Sequence, residues 1–146
     1  MNKTFFLFSL IVLISLKVLA QNQVQLIQPE KEAMDVFNPH PNSSAVHPEP
    51  RIEFKWEAMD NADSYEFYLI EANHLEYNNP HLGDTLTTSN NFIIIGEIEG
   101  ERLPKHGYPY RGHRYAWKAR AIIDGEYQKW SQLWFFHTGR YTSPND

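Results

Sequence analysis

From Arg51 to Glu57 the chain alternates without a break between polar and apolar residues, Arg-Ile-Glu-Phe-Lys-Trp-Glu. A period of two puts Ile52, Phe54 and Trp56 on one face and the charges on the other, the pattern of a strand with one side buried. The pattern returns in Ser64 to Ile70, with Tyr65, Phe67 and Leu69 inward, and again in Tyr115 to Ala121. Asn90 to Ile98 carries the β-branched run Phe92-Ile93-Ile94-Ile95, and Trp130 to Thr138 reads as a closing strand. Turn chemistry separates these runs: Asp60-Asn61-Ala62-Asp63 is one turn, and Asp124-Gly125 fits a tight hairpin. No segment shows a convincing helical period. Residues 38–50, with four prolines, read as an extended connection, and residues 73–90 as a polar loop. Strand-like runs at both ends of the chain predict an all-β fold, an antiparallel sandwich of about seven strands.

The first twenty residues concern location instead of fold. Met1-Asn2-Lys3 gives a positive end, Phe5 to Leu16 is apolar apart from Ser9 and Ser15, and Val18-Leu19-Ala20 precedes Gln21. This predicts a secretory signal peptide over 1–20, cut after Ala20, and an exported product of one domain over 21–146. The apolar run is too short for a membrane span, and no later segment approaches that length, so no membrane insertion is expected. Export leads to a periplasmic or extracellular protein. The chain has no cysteine. It must therefore hold together by burial alone, and thiol catalysis and thiolate metal sites are excluded. A cysteine-free product whose signal ends in Leu-Ala-Gln is similar to exported proteins of Gram-negative bacteria. Removing Lys3 and Lys17 leaves 11 basic residues against 18 acidic ones, a net charge of −7 (11 minus 18). An acidic domain without a basic cluster argues against nucleic acid and anionic lipid as partners.

A family resemblance emerges from the aromatic positions. Gly112-x-x-Tyr115-x-Trp117 with Ala119 and Ala121, then Trp130-Ser131 and Phe136-x-Thr138, resembles the last two strands of a fibronectin type III domain. Phe54-x-Trp56, Ala62 and Tyr65 are similar to its second and third strands, and Leu26-x-x-Pro29 to its first. One departure stands out: Pro109 occupies the place, six residues before Tyr115, where the family usually has leucine. The resemblance implies an immunoglobulin-like sandwich in which the third, sixth and seventh strands adjoin in one sheet. It implies adhesion, spacing or recognition, or an accessory role beside bacterial polysaccharide enzymes. Trp56, Tyr65, Phe67, Trp117, Trp134 and Phe136 share inward parity and form the expected core, with Tyr115 as a tyrosine corner bonded to nearby backbone.

Outward parity gives Glu66, Tyr68 and Ile70 on the third strand, Ala116, Lys118, Arg120 and Ile122 on the sixth, and Ser131, Leu133, Phe135 and His137 on the last. Tyr68, Ile70, Ile122, Leu133 and Phe135 would then form an apolar patch beside Lys118 and Arg120. A solvent-facing antiparallel face is ordinarily polar, and a large apolar patch with a charged rim marks an interface. The expected function is non-enzymatic recognition or scaffolding, with a protein partner or cell-envelope assembly docked on that face. The competing outcome is coverage by the chain's own segments 38–50 or 73–90. A second reading is carbohydrate binding through exposed rings, with Tyr108, Tyr110, Tyr127 and Trp130 as candidates.

Other chemistries find less in the sequence. Histidine pairs His40/His47, His74/His81 and His106/His113 are each seven apart, an odd spacing that sends side chains to opposite faces of a strand. No zinc motif occurs, and Asp60, Asp63 and Asp84 do not make a calcium loop. No metal or cofactor is expected. Glu97, Glu99 and Glu101 share a face and would serve a hydrolase only as a remote alternative to a solvated strand end. Asn42-Ser43-Ser44 matches a eukaryotic N-glycan acceptor, and Asp84-Thr85-Leu86 is similar to an O-glycan acceptor of some Gram-negative exporters.

Overall fold

The computed structural model describes residues 23–34, 36, 38–39, 50–76, 79–96, 102–104, 109–110 and 112–139. The signal peptide, the Asn42 acceptor, His40, His47, His106, Tyr108, and Glu97, Glu99 and Glu101 lie outside the described residues.

Two antiparallel sheets face each other. In the first, β3 (Pro50–Trp56) is central. It pairs on one side with β1 (Leu26–Gln28) and β2 (Asn38–Pro39), and with β6 (Phe92–Gly96) on the other. The second sheet runs β5 (Asp84–Thr88), β4 (Ser64–Glu71), β7 (Arg114–Ile123), with β8 (Glu126–Tyr127) and β9 (Trp134–His137) both on the far side of β7. The all-β sandwich is therefore as expected, and the third, sixth and last predicted strands do adjoin, as β4, β7 and β9.

Alternation decides the core. Ile52, Phe54 and Trp56 on β3, Tyr65, Phe67 and Leu69 on β4, and Tyr115, Trp117, Ala119 and Ala121 on β7 are all buried. Their rings interlock across the sandwich. Phe54 of the first sheet lies 4.8 Å from Phe67, 5.2 Å from Trp117 and 5.5 Å from Phe136 of the second. Trp134 is only half-buried and meets Trp117 edge-on at the rim of this cluster. Truncating one such ring typically costs ~3–5 kcal/mol, a large part of the roughly 5–15 kcal/mol that holds a domain together.

Two expectations at the chain's connections change. The polar stretch 73–90 is not one loop: it holds helix α1 (Ala72–Glu76), a 3-10 turn over Pro80–Leu82, and strand β5. One and a half helical turns are too few to leave a 3.6-residue signature. The N-terminal segment, in turn, serves both sheets. After β1 the chain crosses to β9, where the Glu32 N–H donates to Phe135 O (2.6 Å), the Val36 N–H to His137 O (3.0 Å), and the His137 N–H to Ala33 O (2.8 Å). That crossing covers an edge of the second sheet, where open backbone groups would otherwise invite pairing.

The Asp124-Gly125 hairpin forms as expected. Both residues have positive φ (51° and 77°), as a turn matched to the strand twist requires. Pro109 is fully buried next to Tyr110, so it adds apolar volume at this corner. The Tyr115 hydroxyl accepts the Tyr110 N–H at 2.8 Å, which is the tyrosine corner.

Candidate functional site

The outer face of β4 and β7 is built by register. Glu66 stands opposite Arg120, Tyr68 opposite Lys118, and Ile70 opposite Ala116. On the other flank of β4, Thr87 faces Glu66 and Thr85 faces Tyr68.

At one end the face is closed by its own chain. Ile70, expected on an exposed patch, is 2% exposed, and Ala116 is fully buried. The physical cause is α1, which leaves the end of β4 and packs on β4 and β7. Phe135, also expected in the patch, is half-buried under Arg114, whose guanidinium carbon sits 4.3 Å from the ring centroid. Arg114 is held there by Glu32 at 3.2 Å. Ile122 and Leu133 are half-buried as well. The continuous apolar patch predicted from Tyr68, Ile70, Ile122, Leu133 and Phe135 is thus not what the face presents.

The other end carries a stack of rings and cations. The Lys118 ammonium lies 4.9 Å from the Tyr68 ring and 4.5 Å from the Trp130 ring. The Arg120 guanidinium lies 4.3 Å from Trp130 and 4.0 Å from Tyr127. Tyr68 and Trp130 meet edge-on at 6.2 Å. Each cation is shared by two rings, an arrangement worth roughly 0.5–2 kcal/mol per contact depending on desolvation. Glu66 accepts from Arg120 at 2.5 Å and fixes the guanidinium in the row. Tyr68 is pinned from the opposite side. Its hydroxyl donates to Pro80 O at 2.9 Å, and its ring lies against the Gly83 backbone, where a Cβ would come within 2.3 Å of it.

A change of register brings Trp130 into this row. Tyr127 pairs with Ile122 and Trp134 with Trp117, so five steps along β7 meet seven on the returning chain. The two extra residues bulge on either side of Ser131, whose N–H donates to Ala119 O at 2.8 Å. Ser131 was expected outward. Instead it is 7% exposed, and its hydroxyl accepts the Ala119 N–H at 3.0 Å and donates to Gln132 O at 2.9 Å. A bulge reverses local parity, so Trp130 comes out as Ser131 goes in. Unbroken alternation could not reveal this. The only hint in the sequence was the polar run Gln128-Lys129 between a hairpin and a strand.

The two candidate sites are therefore partly one. Trp130 and Tyr127, proposed for sugar, share a surface with Tyr68, Lys118 and Arg120, proposed for protein. Tyr110 is separate: it is 52% exposed at the opposite end of β7, with the His113 ring 5.9 Å away. Burial, more than the neighbouring Arg120 charge, holds the Lys118 amine below the usual lysine range, and the Glu66 charge opposes both. Burial raises the Tyr68 hydroxyl above the usual tyrosine range. Among the described residues no three His, Asp or Glu side chains converge as metal ligands. Among them, too, no helix is long and apolar enough to cross a membrane.

No family model matches this chain, and no curated protein matches it in sequence. Among solved structures it is similar to native α-L-rhamnosidase from Aspergillus terreus, at 15% identity and a TM-score of 0.41, over 84% of this chain and 12% of that one. The chain thus spans a small part of that enzyme's length, and a likeness this loose assigns neither a family nor an activity.

Proposed function

We propose that the protein is an exported, non-enzymatic recognition module of the fibronectin type III kind, and that it binds a protein partner through the row Tyr68, Lys118, Trp130, Arg120 and Tyr127. The observation that carries this reading is the stack itself. Tyr, Trp and Arg are the side chains that dominate binding energy at protein interfaces. Here they are already ordered by mutual stacking, so little rotamer entropy remains to be lost on association. Tyr127, at 58% exposed, is the most open member of the row. A flat row of stacked side chains suits a surface partner better than a small substrate, which needs enclosure. Export is supported by the character of residues 1–20.

Carbohydrate binding is the second reading, favoured by the exposed Tyr127 ring. It has less support at Trp130, because sugars stack on ring faces and two cations already lie against that ring.

Site-specific photo-crosslinking in cells that make the protein tests the first reading. A benzophenone side chain at Tyr127 is expected to give a discrete protein adduct, and one at Phe92, exposed on β6 of the opposite sheet, none. No adduct from 127, or the same products from both positions, would refute the recognition surface.

A further inference from the structure

The recognition row carries an imbalance of charge. Arg120 has its carboxylate in Glu66. Lys118 has no carboxylate in direct contact among the described residues: its ammonium lies over the Tyr68 and Trp130 rings, and the Glu66 charge, already paired with Arg120, reaches it only in part against the Arg120 charge. The row therefore presents two cations against one anion, on a chain whose 18 acidic residues outnumber its 13 basic ones. Lys118 is also half-buried. A cation partly removed from water, beside a second cation and with no carboxylate in contact, gains from an incoming counter-charge. Beside it on the same face stand Thr85 and Thr87, both exposed on β5, opposite Tyr68 and Glu66. Their hydroxyls are free to turn as donors toward an incoming acceptor.

We propose, building on the recognition reading, that the partner presents an acidic peptide segment to this face, with one of its carboxylates paired to the Lys118 ammonium and its neighbours against Thr85 and Thr87. Charge complementarity selects the segment, and the ring on either side of Lys118 excludes water from the pair. The depressed basicity of Lys118 agrees with this, since burial first and the neighbouring Arg120 charge second outweigh the opposing Glu66 charge. An acidic peptide fits better than an acidic glycan because the sugar component would need ring faces that the cations already occupy.

An array of defined peptides, acidic, neutral and basic, with polygalacturonate and neutral xylan spotted beside them, reads the proposal directly on the full chain. Wild type is expected to select the acidic peptides. Lys118→Met, which keeps the packing between the rings, is expected to bind them about tenfold more weakly, and Lys118→Arg to restore most of that loss. Binding should also fall with added salt. Thermal melting of both variants close to wild type establishes that the fold is intact. Equal selection of acidic and neutral peptides, or acidic binding unchanged in Lys118→Met, overturns the acidic partner. Selection of polygalacturonate over every peptide overturns it in favour of a glycan. The photo-adduct at residue 127 separates the two levels. If it forms and survives Lys118→Met, the recognition face stands and the acidic segment falls; if it never forms, both fall.

Discussion

The Tyr115 hydroxyl, buried under the corner and accepting the Tyr110 N–H, ties the entry of β7 to the chain before it. Burial raises its pKa far above the ordinary tyrosine value of 10.0, against the opposing pull of the Tyr110 hydrogen bond. Below about pH 10 the folded and unfolded chains both keep this proton. Above it the unfolded chain releases the proton and the folded chain does not, so stability falls as pH rises through the alkaline range. Tyr115→Phe is expected to cost about 1 kcal/mol at neutral pH, the worth of one hydrogen bond. It should also flatten the alkaline decline by one proton. Denaturant melts at pH 8 and pH 11, with tyrosinate absorbance, check this; an unchanged decline in the variant would contradict the assignment. Pro109, fully buried one residue before Tyr110, supplies apolar volume at the same corner. Trp56 and Trp117 show a different compromise, since their indole N–H groups are buried with no acceptor among the described residues. Packing of two large rings outweighs that deficit.

At the scale of elements, the short segment after β4 does two jobs. Helix α1 closes one end of the outer face over Ile70 and Ala116. The 3-10 turn then delivers Pro80 and Gly83 to the Tyr68 ring. Gly83 has an ordinary negative φ (−69°), so its role is space, not backbone freedom. Gly83→Ala is expected to push the Tyr68 ring off the Lys118 ammonium and break its bond to Pro80, at about 1–2 kcal/mol. The ring-current shift of the Lys118 ε-protons reports the displacement by NMR. Unchanged ε-proton shifts would mean that Tyr68 does not hold Lys118. The bulge pair around Ser131 does the matching job on the other side. Ser131 replaces a regular rung with a hydroxyl that both accepts and donates, and this keeps the Ala119 N–H satisfied while the chain takes two extra residues.

For the molecule as a whole, the aromatic cluster makes the two sheets one cooperative unit. Phe54 belongs to the first sheet and touches three rings of the second, and β1 with the segment that follows it, to Val36, is hydrogen-bonded into both. Unfolding is expected to be two-state, with tryptophan fluorescence and far-UV circular dichroism tracing one transition. Phe54→Ala should lower stability by ~3–5 kcal/mol in both signals together. Separate transitions would show that the sheets unfold independently. Much of this was legible in the residues. Alternation on β3, β4 and β7 picked out the buried side chains, and Asp124-Gly125 picked out the hairpin, because side-chain parity and turn dihedrals are properties of a few consecutive residues. The outer face was not legible in that way. Ile70 alternates as an outward residue and is buried by a helix too short to announce itself. Ser131 and Trp130 exchange sides because of bulges, which shift parity without changing composition. By itself the sequence determined which side chains of β3, β4 and β7 fill the space between the sheets, and with them an all-β sandwich. Only the tertiary structure decided that Tyr68, Lys118, Trp130, Arg120 and Tyr127 stand in one row, because their contact depends on how strands distant in the chain align, and two inserted residues set that alignment.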